Sequence, residues 1–176
     1  TRVGSPYVIA GMVQAAEDGG IVIGFEANGG VLLGSDVTRA GKTLSALPTR
    51  DAVLPILCAL AEAAAGTTMS EEAATFGFKA AASDRLPDVP QELSAAFVAA
   101  LSEDPGFRAE QLSALGEIVD LDVRDGLRMT TAGGEIVHFR PSGNAPELRA
   151  YVEAEGPERA AELLAWALDL AARNTR

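Results

Sequence analysis

Positive charge, cysteine, histidine and aromatic residues are all scarce in this sequence. Its 14 Lys and Arg residues face 25 Asp and Glu residues, so the net charge at pH 7 is -11. Such a chain repels polyanions, and we therefore expect neither nucleic acid nor an anionic membrane surface as its partner. The single cysteine, Cys58, has no second thiol to pair with, which favours a reducing and thus cytoplasmic location.

Long apolar runs and several familiar functional patterns are also missing. No segment is long and apolar enough to predict a membrane span, and neither GxxxxGKS/T nor GxGxxG occurs. One histidine, His138, gives little basis for a Ser/His/Asp triad. Because the sequence begins with Thr1 and reads as ordered structure from about Val3, without a secretory leader, we expect a piece of a longer protein.

Residues 1–78 alternate helix and strand patterns. A helix from Ser5 precedes two short strands joined by ANGG, whose residues tolerate the positive φ of a tight turn. A second helix is predicted to start with Thr49 as its N-cap and to end near Ala65, and a short helix follows from about Glu71. The apolar stripe of the second helix predicts a buried side made of Val53, Ile56, Leu57 and Leu60. We expect a partial α/β domain.

Residues 79–176 change in character. The breaks DG and AGG separate EIVDLDV, LRMTT and EIVHFRP, which predicts a three-stranded meander with LRAYVEA as a fourth strand. KAAASDRL favours a further strand, and PQELSAAFVAAL a helix that Pro90 begins. An amphipathic helix runs from Pro157 to Arg173. We therefore predict an α+β domain, with an antiparallel four-stranded sheet and helices packed on one face.

Two arginines surround a Ser-Gly-Asn turn in RPSGNAPELR, residues 140–149. Arg140 offers a planar fork that matches two oxygens of a phosphate. Ser142 offers a hydroxyl, Gly143 a backbone N–H without a Cβ beside it, and Asn144 an amide. These groups suit an anion such as phosphate. The same segment is also compatible with a surface loop that carries two unrelated arginines.

A second candidate is GFEANGG, residues 24–30. Glu26 and Asn28 lie two apart at a strand end, so they project from the same side and could exchange hydrogen bonds with neighbouring sugar hydroxyls. A plain hairpin turn with a solvated glutamate also explains the pattern.

The acidic segment DLDVRDG, residues 120–126, raises the question of a metal site. Asp120 and Asp122 share a strand face with Asp125 nearby, but Leu, Val and Arg fill the interior where a hard-cation loop usually needs glycine. We expect a solvated strand face followed by a DG turn, and no metal. His138 shares the strand face of Arg140, and it either borders the anion site or is structural.

Three segments, in order and at matching separations, resemble the α-D-phosphohexomutase family, most closely the bacterial phosphomannomutase/phosphoglucomutases. RPSGNAPELRAYVEA is similar to the family's phosphate-binding signature RPSGTEPxxRxYxEA, GFEANGG to its sugar-recognition loop GEXSGH, and TRVG to a TxVG stretch before that loop. The resemblance implies a four-domain enzyme. This chain would hold the later part of domain three, residues 1–78, and all of domain four, residues 79–176.

The resemblance also implies roles for individual residues. Glu26 would contact the sugar hydroxyls together with Asn28, which stands where serine is usual. The residues that would hold the phosphate that is not reacting belong to the signature: Arg140, Ser142, Gly143 and Asn144, with Arg149 as a further ligand or as a structural arginine. Phe25 and Gly30 replace the Gly and His of the family loop, which leaves the preferred hexose open.

The implied reaction is an isomerisation that interconverts the 1- and 6-phosphates of mannose or glucose. In the family a phosphoserine of domain one passes its phosphoryl group to the hexose phosphate, which gives a bisphosphate intermediate, and Mg²⁺ bound by a DGDGDR loop assists. Neither that loop nor the serine motif TASHNP occurs in this sequence. We therefore expect no catalytic residue and no bound metal in this chain. The parent enzyme would use Mg²⁺ and a hexose 1,6-bisphosphate activator, and this chain would not catalyse the transfer alone.

Hexose phosphates and the N-terminal domains of the same enzyme are thus the expected partners. Two other hypotheses remain at this point. The chain could be a stand-alone, non-catalytic phosphosugar-binding module, or a structural domain whose loops no longer bind a ligand.

Overall fold

The structure, a computed structural model, describes residues 1–26 and 29–175. The chain divides into two compact units, Thr1–Phe78 and Lys79–Arg176. Each unit has its own sheet and its own cluster of buried apolar side chains.

The first unit packs a helix on a small antiparallel sheet. Its elements are α1 (Ser5–Ala16), β1 (Ile23–Phe25), β2 (Val31–Leu33), β3 (Val37–Arg39), β4 (Lys42–Leu44), β5 (Leu47–Asp51), α2 (Val53–Ala64) and α3 (Met69–Thr75). The sheet has the order β1-β2-β5, and β3 pairs with β4 as a separate hairpin. Val8 and Met12 of α1 pack with Val22 and Leu32 to form the buried cluster. The helix and strand patterns thus give an α/β arrangement here.

The start of α2 corrects the sequence prediction. Thr49 lies within β5 and does not cap the helix, which begins at Val53. The carboxylate of Asp51 accepts hydrogen bonds from the N–H groups of Val53, at 2.7 Å, and Leu54, at 3.3 Å. Asp caps a helix N-terminus at least as well as Thr, so the nearer capping residue sets the boundary.

The apolar stripe of α2 is exposed, and the prediction that it is buried in this chain is wrong. Val53, Ile56, Leu57 and Leu60 are each more than half exposed. An amphipathic pattern specifies that a helix has an apolar side, but not that the covering element lies in the same unit.

No single helix in the two described ranges has the length and apolar composition of a membrane span. The helices α2 and α3 reach that length and composition only when they are taken together, as a pair bent by 103°.

The second unit is built on a five-stranded sheet. Its elements are β6 (Ala80–Pro87), α4 (Gln91–Glu103), α5 (Pro105–Gln111), a short 3₁₀ turn (Ser113–Leu115), β7 (Ile118–Asp122), β8 (Leu127–Thr131), β9 (Ile136–Pro141), β10 (Glu147–Ala154) and α6 (Pro157–Asn174). The strand order is β6-β10-β9-β8-β7, and every neighbouring pair is antiparallel.

The predicted count of four strands is therefore wrong. The fifth strand is β6, which pairs with β10 from Ala80 opposite Ala154 to Pro87 opposite Glu147. Tight turns identify the β7 to β9 meander locally, because each turn joins sequence neighbours. The pairing of β6 with β10 joins distant segments, and no local turn signal marks it.

Side chains alternate across this sheet. One side is apolar and lies under α4 and α6, where Phe97 of α4 meets Phe139 of β9 edge to face at 5.2 Å between ring centroids. The opposite side, here called the polar face, carries Ser83, Arg85, Arg128, His138, Arg140, Arg149 and Tyr151. Because successive residues of a strand point to opposite sides, the same strands that build the core also display the polar residues.

The turn between β7 and β8 is docked closely on β9. Gly126 has φ +83, and a Cβ at this position would lie 2.2 Å from the carbonyl oxygen of Phe139. Gly116 has φ +79 and open space where its Cβ would be. The two glycines therefore share a backbone requirement but differ in steric contact.

We expect Gly126→Ala to lower the free energy of unfolding more than Gly116→Ala. Both variants carry the cost of a positive φ, about 1–2 kcal/mol. Only Gly126→Ala adds a backbone clash, which is expected to cost about 1–3 kcal/mol more. Urea unfolding of the 176-residue chain, followed by circular dichroism, measures the difference. If both variants lower the free energy of unfolding equally, the turn at Gly126 can move away from β9 without a loss of stability.

Candidate functional site

Three arginines lie in one row across the polar face. Arg149 of β10 is directly opposite Arg140 of β9 on one side and Arg85 of β6 on the other. Neighbouring strands are about 4.8 Å apart, and like charges directly opposite each other are destabilising. This arginine row therefore needs counter-charges, and the structure places two carboxylates beside it.

The first counter-charge is Glu147, whose side chain is 6% exposed. Its Oε1 accepts a hydrogen bond from Arg149 Nε at 2.8 Å, and Arg149 Nη2 lies 2.8 Å from the same oxygen. Its Oε2 accepts a hydrogen bond from Arg85 Nη1 at 3.1 Å. The hydrogen bond from Arg149 and the two guanidinium charges lower the pKa of Glu147. One buried carboxylate thus holds two of the three arginines.

The second counter-charge is Asp125, from the turn that docks on β9. Its Oδ2 lies 2.9 Å from Arg140 Nε, and both side chains are 19% exposed. Among the described residues this Nε–H has no well-aligned hydrogen-bond acceptor, because the ion pair is close but poorly directed. His138 Nε2 donates to the carbonyl oxygen of Asp125 at 2.6 Å. Its contact is with the turn that carries Asp125, which fits the structural alternative for this histidine.

The predicted anion loop joins the ends of β9 and β10. The N–H of Ser142 donates to the carbonyl oxygen of Glu147 at 3.0 Å, and the N–H of Glu147 donates to that of Ala145 at 2.8 Å. Ser142 is buried, whereas Gly143 and Asn144 are exposed. Gly143 and Asn144 also line a cavity of about 330 Å³. The structure therefore brings the predicted loop residues next to the arginine row.

The other predicted site residue, Glu26, lies in the first unit. Its Oε2 accepts a hydrogen bond from Ser5 Oγ at 2.9 Å and lies 4.0 Å from Arg50 Nη1. The Glu26 side chain is 7% exposed and borders a cavity of about 420 Å³, which segment 1–4 also lines. The TRVG segment and Glu26 thus meet at one cavity. Asn28 falls outside the described residues.

Three members of this arrangement were not assigned to the site from the sequence: Glu147, Arg85 and Asp125. Glu147 and Arg149 are two apart on a strand, and that spacing is the one local signal that predicts a shared face. Arg85 lies on a distant strand, so only the sheet register reveals it. Asp125 was considered only for a metal site.

The acidic segment 120–126, which ends β7 and forms the turn after it, makes ion pairs with arginines. Asp122 binds Arg124 Nε through both carboxylate oxygens, at 2.9 and 3.0 Å, and also contacts Nη2. These hydrogen bonds hold the pKa of Asp122 far below its usual range. Within the described ranges, no group of three or more His, Cys, Asp or Glu side chains comes together as a metal site.

Comparisons with known proteins give consistent matches over both units. Residues 79–170 match the family model described as phosphoglucomutase/phosphomannomutase, C-terminal domain, and residues 1–77 match that for alpha/beta/alpha domain III of the same family. A phosphomannomutase of Sinorhizobium fredii is 50% identical over 170 residues, which cover 96% of this chain and 36% of that protein. A phosphomannomutase of Salmonella muenchen is 40% identical over 169 residues, covering 93% of this chain and 34% of that protein. The chain thus spans about a third of the length of the curated relatives it matches.

The depressed pKa of Glu147 predicts a pH dependence of stability. Its folded-state pKa lies below the ordinary value of 4.5, so its contribution is present above pH 4.5 and is lost as the pH falls below it. We expect Glu147→Gln to lower the free energy of unfolding at pH 7, and this deficit should shrink as the pH falls below 4.5 and through the lowered folded-state pKa. Urea unfolding at a series of pH values measures it.

The Arg149→Ala background is the control, because hydrogen bonding by Arg149 is the main cause of the shift. In that background the deficit of Glu147→Gln at pH 7 should be smaller. A deficit that stays constant with pH would mean that the side chain acts through packing and not through its charge.

Proposed function

The chain belongs to the phosphoglucomutase/phosphomannomutase family, and on this premise we propose that it is the substrate-binding C-terminal portion of a phosphohexomutase. The proposed parent reaction interconverts the 1- and 6-phosphates of mannose or glucose through a phosphoserine and a bisphosphate intermediate. The observation that carries the proposal is the arginine row beside the 142–146 loop.

The proposed phosphate site combines that loop with two members of the row. Arg140 and Arg149 supply positive charge, Ser142 and Asn144 supply polar side chains, and Gly143 lets a phosphate approach the backbone. The row has three arginines, and Glu147 and Asp125 neutralise two of these charges, so one positive charge remains in excess. Each charge-assisted hydrogen bond to the phosphate would contribute about 1.5–3 kcal/mol.

The bound phosphate would be the one that does not react. Binding energy gained at this group fixes the hexose in place, so that the other end of the sugar is presented for phosphoryl transfer. In this proposal the chain contributes substrate binding and orientation.

The proposed sugar contact is Glu26. Its carboxylate is an acceptor for hydroxyl protons, and the Ser5 hydroxyl already bonds to Oε2 in the way a sugar hydroxyl would. The adjoining cavity of about 420 Å³ falls in the range of small-molecule sites, about 300–1,000 Å³. Asn28 remains a proposed sugar contact on the strength of the family loop.

Phosphoryl transfer itself is assigned to residues beyond this chain. The motifs for the phosphoserine and for the Mg²⁺ loop do not occur in the sequence. The described residues also do not fit Mg²⁺, since Asp122 and Asp125 are committed to arginines. The metal and a hexose 1,6-bisphosphate activator are therefore proposed for the whole enzyme only.

The exposed stripe of α2 fits this proposal. Four large apolar side chains on one side of a helix are unfavourable in water unless something covers them: Val53, Ile56, Leu57 and Leu60. In the proposed parent enzyme, the remainder of domain III would cover them.

We expect Arg140→Ala to raise the Kd for inorganic phosphate and for glucose 6-phosphate about 10- to 100-fold, because one charge-assisted contact of about 1.5–3 kcal/mol is lost. Isothermal titration calorimetry on the 176-residue chain measures both ligands. In the parent enzyme the same change should raise KM for hexose phosphates. The control is Arg173→Ala, which removes the same charge from α6, where Arg173 pairs with Asp169. Equal affinity of Arg140→Ala and wild type would remove Arg140 from the phosphate site.

We expect Glu26→Gln to separate sugar binding from phosphate binding. The loss of one carboxylate acceptor should weaken glucose 6-phosphate about 2- to 10-fold, while inorganic phosphate binds as in wild type. Calorimetry with both ligands gives the ratio of the Kd for glucose 6-phosphate to the Kd for inorganic phosphate. The matched control is Glu17→Gln, a change at an exposed acid of the same unit. Equal losses for the two ligands would contradict a sugar-reading role.

A further inference from the structure

We propose that Arg85 is a further phosphate-binding residue and that Glu147 positions it together with Arg149. The inference rests on the proposed function and deepens it, because it adds a residue from β6 to a site otherwise made from β9, β10 and their loop. The juxtaposition comes from the sheet register, which places Arg85 directly opposite Arg149.

The two arginines share one groove on the polar face. A cavity of about 240 Å³ is lined by Ser83, Asp84, Arg85, Arg149 and Tyr151. The side chains of Arg85 and Arg149 are 66% and 41% exposed, so an anion in solution can reach both. Arg149 in turn lies opposite Arg140. The groove therefore lies at the Arg85 and Arg149 part of the row, and the third arginine, Arg140, belongs to the strand that leads into the 142–146 loop.

Glu147 is buried between the two guanidinium groups. Burial of a carboxylate is unfavourable unless it is paired, so the pairing restrains all three side chains. The contacts use Nε and Nη2 of Arg149 and Nη1 of Arg85. Each guanidinium carries five N–H donors, and donors therefore remain on both groups beyond those that the carboxylate engages.

This arrangement prepares the arginines before an anion arrives. A free arginine samples many rotamers and loses that freedom on binding, whereas one already held by a buried carboxylate loses less. The Asp84 carboxylate also lines the groove, so net charge alone does not make the groove attractive to an anion. We infer that the fixed direction of the guanidinium groups is what Glu147 contributes.

Two possible roles of Glu147, as a negative charge or as a group that positions the arginines, predict opposite changes in phosphate affinity when its carboxylate is neutralised. Glu147→Gln raises the net positive charge of the site by one, and by simple electrostatics phosphate should then bind more tightly. If the carboxylate positions the arginines, phosphate should bind more weakly although the site has become more positive. A purely structural role also gives no reason for the effects of Glu147 and Arg85 to be coupled.

The test is calorimetry of the 176-residue chain with inorganic phosphate at pH 7, for Glu147→Gln, Arg85→Ala and the double variant. We expect each single change to raise Kd about 3- to 10-fold. In the Glu147→Gln background, Arg85→Ala should cost less than in wild type, because its guanidinium is no longer held. The matched control is Glu153→Gln, which removes the same charge from an exposed residue of β10.

Tighter or equal phosphate binding by Glu147→Gln would overturn the positioning role. Unchanged affinity in Arg85→Ala, an exposed residue whose truncation leaves the core intact, would remove Arg85 from the site even if Glu147→Gln failed to fold. If wild type binds no phosphate, or Arg140→Ala has no effect, the proposed function fails and this inference with it. If Arg140→Ala loses phosphate while Glu147→Gln and Arg85→Ala keep it, this inference alone fails.

Discussion

The pairing register of β10 with its two neighbours is the constraint on which the second unit depends. Leu148, Ala150 and Val152 point into the core, and Arg149 points to the polar face between Arg85 and Arg140. Because side chains alternate with a period of two, a slip of one residue would turn the core residues to solvent and the arginine into the core. The hydrophobic energy that fixes the core therefore also fixes the geometry of the arginine row.

This coupling bears on how a chain with a net charge of -11 would carry the proposed anion site. Salt screens exposed charges beyond a Debye length of about 8 Å, so a ligand at the polar face responds mainly to the groups beside it. Those groups are three arginines with Glu147 and Asp125 between or beside them. The carboxylates relieve repulsion within the row. Two of them against three arginines leave the row itself one positive charge in excess, although Asp84 also lines the groove beside Arg85.

Features that depend on nearby residues could be predicted from the sequence. Turn residues and alternation predicted the β7 to β9 meander, and the amphipathic pattern predicted α6. The anion site at the loop around Gly143 was inferred from residue chemistry and stays a prediction. The pairing of β6 with β10, and with it Arg85, depends on a contact between distant segments that leaves no local pattern. The start of α2 was misplaced because Asp51 is a second capping residue two positions after Thr49. The site prediction likewise omitted Glu147, since a single acidic residue in a strand does not show which partners it will have.

The contact between Asp125 and Arg140 would make the proposed phosphate binding an exchange of one anion for another. With a carboxylate oxygen 2.9 Å from its Nε, Arg140 already has an internal counter-ion before any ligand arrives. A ligand that replaces Asp125 at this guanidinium would bind with only the difference between two interaction free energies, that of the ligand with Arg140 and that of Asp125 with Arg140. A dianion with several oxygens can gain from such an exchange, whereas a monoanion such as chloride gains little. If the proposed phosphate site is correct, Asp125 would set a minimum interaction energy that a ligand has to exceed, and this would favour phosphate esters over simpler anions.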